Sequence, residues 1–172
     1  IGNGQYDPKT QTMEISMTAD NPMLVVAKHE ITHMLEQKEP EAHKEYKDYV
    51  INSMKEAGTY EKVHAEYKLR YRLNGLELSE SEIQDEIVAD ATEKFLTDKM
   101  AIENLVKENR TLGQKILDII REFIKKVDEA VRGVTSGWMG VEQLRTAERM
   151  WVEALNSAAE KEPGSTSKRA EK

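Results

Sequence analysis

The stretch Asp20-Asn21-Pro22-Met23-Leu24-Val25-Val26-Ala27-Lys28-His29-Glu30-Ile31-Thr32-His33-Met34-Leu35-Glu36-Gln37 decides the fold. It reads as one long helix. Asp20 or Asn21 stands at the capping position and Pro22 in the first turn. Pro40 stops the pattern and opens the next helix. Leu24, Ala27, Ile31 and Leu35 form one stripe, and Val26, His29, Glu30 and His33 form another. A helix apolar on two sides belongs inside a domain. Within it lies His29-Glu30-Ile31-Thr32-His33, the spacing His-Glu-x-x-His. Residues four apart share a helix face, so both imidazoles can point at one ion. Glu30 stands beside them, where a carboxylate can work on a metal-bound water.

A second helix carries acids. Ser79-Glu80-Ser81-Glu82 is a capping box that opens a helix expected to run to about Leu96. Glu86 and Asp90 lie one turn apart on one face, with Ile83, Ile87 and Ala91 as apolar neighbours. Two carboxylates in such company are costly unless a metal or hydrogen-bond donors meet them. Glu80, Glu82, Asp85 and Glu93 are also near, and by itself the stretch reads more simply as a solvated acidic stripe.

Around these two helices the chain is mainly α. Met13, Ile15 and Met17 alternate with polar residues after the turn signal Asp7-Pro8-Lys9-Thr10, which predicts a small N-terminal β-hairpin pairing Gly4–Tyr6 with Thr12–Met17. Such a hairpin either closes the end of the core or offers an edge to an extended peptide. Glu41–Ala57 is amphipathic through Ala42, Tyr46, Tyr49, Val50 and Met54, and His43 reads as a surface residue of this helix. Thr59 is the expected cap of a helix ending at Asn74-Gly75, with Val63, Tyr67 and Tyr71 on one face as core and rim residues. A short helix spans Thr97–Asn109. Thr111 is the expected cap of a longer one with Leu112, Ile116, Ile120, Phe123, Val127 and Ala130 in a near-heptad seam. With the helix from Val141 to about Glu160 it forms a C-terminal helical hairpin. The expected organisation is a core over 1–109, the hairpin over 110–160, and a polar tail or linker over 161–172. The hairpin carries no ligand-type pattern, so it reads as dispensable for chemistry and as an arm for docking or oligomerisation.

Composition narrows the function. The 172 residues are 38% hydrophobic and 33% charged, as in a helix-rich chain with a wet surface. A net charge of −7 argues against a general nucleic-acid surface. No apolar run approaches the roughly 20 residues that cross a bilayer, so no membrane partner is expected. No signal-peptide pattern opens the chain, and the cytoplasm is favoured. The chain begins at Ile1 without an initiator Met and reads as a processed product or an excised domain. With no Cys, thiolate sites and disulfides are excluded.

A catalytic zinc site takes three protein ligands and leaves one position for water. The metzincin pattern would need Gly at position 36 and His at position 39, where this chain has Glu36 and Glu39. Glu39, His43, His64 and Glu86 stay open as the third ligand. Here the chain resembles the gluzincin superfamily, whose third ligand is a Glu on a helix downstream of the pentad. Glu86-Ile87-Val88-Ala89-Asp90 is similar to the Glu-x-x-Ala-Asp helix of the heat-shock and CAAX prenyl peptidase group and to the related helix of anti-repressor-cleaving peptidases. The hairpin, the Asn-Pro helix start, the pentad and the later helix also resemble metallopeptidase domains of large phage and mobile-element polyproteins, over roughly Gly4 to Val127. The membrane segments of the heat-shock and prenyl peptidases are absent, and the C-terminal hairpin has no catalytic counterpart among these families.

The resemblance implies a zincin-like helical domain and a zinc-dependent hydrolase of peptide bonds. It makes Glu86 the third ligand with His29 and His33, Glu30 the general base, and Asp90 a carboxylate orienting a ligand histidine. The cofactor is Zn2+ and the partner a peptide or protein substrate. His64, Tyr67 and Tyr71 are candidate donors to the oxyanion. The competing expectation is a non-catalytic zinc-stabilised helical module for binding or oligomerisation, whose metal would need a fourth protein ligand.

Overall fold

The structure, a computed structural model, describes residues 5–7, 12–14, 22–130 and 141–161. Its architecture is mainly α. Two three-residue strands, β1 (Gln5–Asp7) and β2 (Thr12–Glu14), pair antiparallel with Tyr6 opposite Met13. The connecting turn, Gly4, the Ile15–Met17 part of the expected hairpin, the Asp20/Asn21 cap and the tail from 162 lie outside the described residues.

Helix α1 (Pro22–Lys38) is the centre of the molecule and packs against α2 (Pro40–Glu56), α4 (Glu80–Ala91) and α7 (Arg110–Ala130). The reason is in its side chains. Met23, Leu24, Val25, Ala27, Ile31, Met34 and Leu35 are all buried, so the helix is covered on more than one side. It ends where the sequence demands. Glu39 precedes Pro40, and a residue before proline is pushed out of the helical region; its φ of −136° and ψ of 69° turn the chain sharply into α2.

Helix α3 (Tyr60–Leu73) lies on the outside, against α4 and α2, and stops at Asn74-Gly75, where Gly75 takes a φ of +81°. Thr59 precedes it but does not cap it by its side chain; its hydroxyl donates back to Met54 O at 3.3 Å. Helix α4 does begin with the capping box, Ser79 and Glu82 each accepting from the other's backbone N–H. It is shorter than the pattern suggests. The chain turns at Thr92-Glu93 and resumes as the four-residue α5 (Lys94–Thr97). The turn sends Phe95 and Leu96 into the core and leaves Phe95 O to accept from Trp151 Nε1 at 2.8 Å.

Asp98 caps α6 (Lys99–Glu108), accepting from Met100 and Ala101. Helix α7 begins one residue before the expected cap Thr111, because Asn109 Oδ1 accepts from Leu112 N and takes that role. Helices α7 and α8 (Val141–Lys161) run antiparallel. The pairs Arg121–Glu148 at 2.9 Å and Asp128–Arg145 at 2.7 Å climb one helix while descending the other.

Their apolar seam is no free arm. Leu117, Ile120, Leu144, Trp151 and Leu155 are fully buried in one cluster with the residues of α1, α2 and α4. A boundary at 109 would cut through that cluster. The arm therefore cannot be removed as an appendage. The sequence pattern hid this because a heptad seam looks the same whether it faces a partner helix alone or a partner helix and a core.

The tightest contact of this half is at Gly113, on α7. A Cβ there would meet Val106 Cγ2 at 2.9 Å and Leu155 Cδ2 at 3.4 Å. Gly113→Val is expected to lower stability by about 1–3 kcal/mol through overpacking, read as a fall in the urea midpoint at unchanged slope.

Candidate metal centre

One cleft of about 130 Å³ is lined by His29, Glu30, Thr32, His33 and Glu36 of α1, His43 of α2, and Asp85, Glu86 and Ala89 of α4. It arises because α1 and α4 pack closely, with Ala89 small and buried at the contact. Behind it a chain of hydroxyls ties three helices together. Tyr46 OH lies 2.8 Å and Thr32 Oγ1 3.2 Å from Thr92 Oγ1, all buried. Thr32 donates to Lys28 O at 2.6 Å and Thr92 to Val88 O at 2.8 Å. With the Thr92 proton committed there, Tyr46 is the donor to Thr92.

The pentad residues differ in exposure. His29 and Glu30 are half-buried, and His33 is exposed at the rim. His29 Nε2 stands 3.8 Å from Asp90 Oδ1, and Lys28 Nζ lies 3.4 Å from the same oxygen. Burial pulls the His29 pKa below its ordinary value; Asp90 opposes this and Lys28 reinforces it. The imidazole is thereby kept neutral, the form that ligates a metal. Glu30 Oε1 has Lys126 Nζ of α7 at 3.9 Å.

The acids of α4 are met by the tyrosines of α3. Tyr71 OH donates to Glu86 Oε2 at 3.0 Å, and Tyr67 OH donates to Asp90 Oδ2. Burial raises the pKa of the Glu86 carboxyl; Tyr71 opposes the shift, while Asp90, Asp85 and Glu82 add to it. Burial also raises both tyrosines, with Asp90 the next cause for Tyr67 and Glu86 for Tyr71, so both stay protonated donors. The sequence held the signal. Tyr67 and Tyr71 are four apart, as are Glu86 and Asp90, and two such pairs on facing helices register.

The open candidates for the third ligand separate. Glu39 faces Lys115 of α7 at 3.8 Å, and His64 pairs with Glu80 at 2.7 Å; neither lines the cleft. His43 does. Expected at the surface, it is 7% exposed, because α2 turns that face toward α1 and α4. Glu86 lines the cleft with the two pentad histidines, so His29, His33 and Glu86 are brought together at the level of the backbone. Their ligand atoms do not converge in the present side-chain arrangement, with Glu86 held by Tyr71 and His29 facing Asp90. Among the described residues, the set of three whose ligand atoms all lie within 4.8 Å of one another is Glu36, His43 and Asp85.

The donor chemistry still fits a zinc ion. A half-buried histidine held neutral, a second histidine one turn on, and a desolvated carboxylate crowded by other acids make a set that a divalent cation would relieve. The chain matches no protein-family model, no curated protein and no solved structure.

Thr92→Val keeps the shape and removes the acceptor of the buried Tyr46 hydroxyl. It is expected to cost about 1–3 kcal/mol, measurable by chemical denaturation, with Tyr46→Phe in the same background recovering part of the loss.

Proposed function

We propose that this chain is a zinc-dependent peptide hydrolase of the gluzincin type, with a zincin-like arrangement of α1 and α4. The observation that supports it best is the shared cleft. A helix bearing His-Glu-x-x-His and a helix bearing Glu-x-x-Ala-Asp face each other across it, joined by buried packing rather than by a loop.

His29, His33 and Glu86 would hold the ion. A zinc ion held there would supply a Lewis acid for the hydrolysis. Glu30 takes a proton from the attacking water and returns it to the departing amine. Its place next to His29 sets the carboxylate at the cleft wall, with Lys126 Nζ 3.9 Å from its Oε1. Asp90 orients His29 from the side away from the substrate, itself held by Tyr67 and Lys28. Of the three oxyanion donors considered, His64 pairs with Glu80, Tyr67 donates to Asp90 and Tyr71 to Glu86, and none of the three lines the cleft.

The substrate is a peptide or protein, bound in the open cleft. Among the described residues no helix is long and apolar enough to cross a membrane, and the net charge of −7 gives nucleic acid no general surface.

Glu30→Gln is expected to abolish cleavage of a model peptide while zinc content and helicity stay at the level of the unaltered protein. Glutamine keeps the shape and loses the basicity. Retained turnover would remove Glu30 from the reaction, and loss of metal would make it a ligand. Glu86→Ala is expected to lose most zinc affinity, measured by competition with a chromogenic chelator. Asp90→Ala is expected to weaken affinity or activity by about 10–100-fold without emptying the site. Full occupancy of the His29–His33 site in Glu86→Ala would refute Glu86 as the third ligand and reopen the choice among Glu39, His43 and His64.

A further inference from the structure

The amphipathic pattern of α2 gives no reason to bury His43, yet its side chain is nine-tenths buried, at 9% exposure, and lines the cleft. Its polar contact is Glu36 Oε2, 3.7 Å from Nδ1, beyond hydrogen-bonding distance. The imidazole thus stands at the cleft wall with a carboxylate beside it. Glu36 and Asp85 bring carboxylates to the same point, and the ligand atoms of all three lie within 4.8 Å of one another.

We propose that Glu36, His43 and Asp85 form a second zinc site in the same cleft, separate from His29, His33 and Glu86. Two donors on one zinc stand at most about 4.4 Å apart, twice a bond of about 2.2 Å. The observed set is within a few tenths of an ångström of that limit. One imidazole and two carboxylates are a donor set that zinc accepts and that harder cations take less readily.

Asp85 is already positioned. Lys47 Nζ donates to its Oδ1 at 2.7 Å and is itself anchored on Ser81 O and Oγ at 3.3 and 3.1 Å. Ligating carboxylates are ordinarily held by such outer contacts, and the second carboxylate oxygen stays available for an ion. Exposed Glu36 gives the site its open side. The three ligands come from α1, α2 and α4, so an ion there would pin the corner at Glu39-Pro40 to the acid helix. The inference does not depend on Glu30 or on hydrolysis.

The test isolates this site from the other. The full chain carrying His29→Ala and His33→Ala, stripped of metal, is titrated with zinc by calorimetry and with cobalt(II) by visible absorption. One equivalent is expected to bind, and adding His43→Gln or Asp85→Asn is expected to weaken it at least about tenfold. No binding in the folded double variant, or binding indifferent to His43→Gln, overturns the proposal. Should circular dichroism show the double variant unfolded, the zinc count of the otherwise unaltered chain decides. Under the proposal His43→Gln lowers it from two to one, and an unchanged count overturns the site. A chain that binds one zinc, lost in His43→Gln and kept in Glu86→Ala, supports this site while removing the hydrolytic reading.

Discussion

The structure depends on the burial of α1. A helix that carries two histidines and two glutamates would ordinarily lie at a surface, its polar face in water. Here Leu24, Ala27, Ile31 and Leu35 bind it to the core on one side, and Met23, Val25 and Met34 extend the cover. At about 1.5–3 kcal/mol for each large side chain buried, these contacts outweigh the cost of leaving half-buried polar groups on the remaining face. Thr32, inside the pentad, spends its hydroxyl on Lys28 O and lies against Thr92. The pentad is therefore fixed from behind by packing and by these hydroxyl contacts.

Charge balance follows from that placement. Glu30, Glu36, Asp85 and Glu86 open on one small cleft, with Asp90 behind it. Such a concentration of like charge would raise the cost of folding if nothing offset it. The offsets come from every neighbouring element: Lys28 from α1, Lys47 from α2, Tyr67 and Tyr71 from α3, and Lys126 from α7. Among the described residues Glu86 has no ion pair, and it accepts instead from Tyr71. Hydrogen bonds from the α3 tyrosines thus stabilise the acids of α4.

Much of this was legible in the residues. The buried stripe of α1, its stop before Pro40 and the capping box at Ser79 were all read correctly, because each is a local rule obeyed locally. The errors came where tertiary contacts decide. Helix α4 breaks at Thr92 because Thr92 belongs to the hydroxyl chain and Phe95 to the core, neither visible as a turn signal. His43 was placed at the surface because its helix is amphipathic, and only the packing of α2 on both α1 and α4 buries it. The seam of α7 and α8 reads as packing, but heptad spacing does not say that the core covers its second side. Trp151 was the available clue: a tryptophan on an apolar face with a donor to satisfy favours a core with a carbonyl in reach.

The spacing along α1 carries one more consequence. His29, His33 and Glu36 follow one another at intervals of four and three, so a single helix face serves the whole length of the cleft. Asp85 and Glu86, adjacent on α4, line the same cleft as His29, His33, Glu36 and His43, and the ligand atoms of Asp85 converge with those of Glu36 and His43. Helices α1 and α4, with His43 of α2 beside them, thus line one cleft with two sets of donor residues. A side chain larger than alanine at position 89 would part the helices and open both groups together, whereas changes at Tyr71 or Lys47 act on one at a time, through Glu86 or through Asp85. The arrangement separates what holds the cleft in shape from what sets the charge within it.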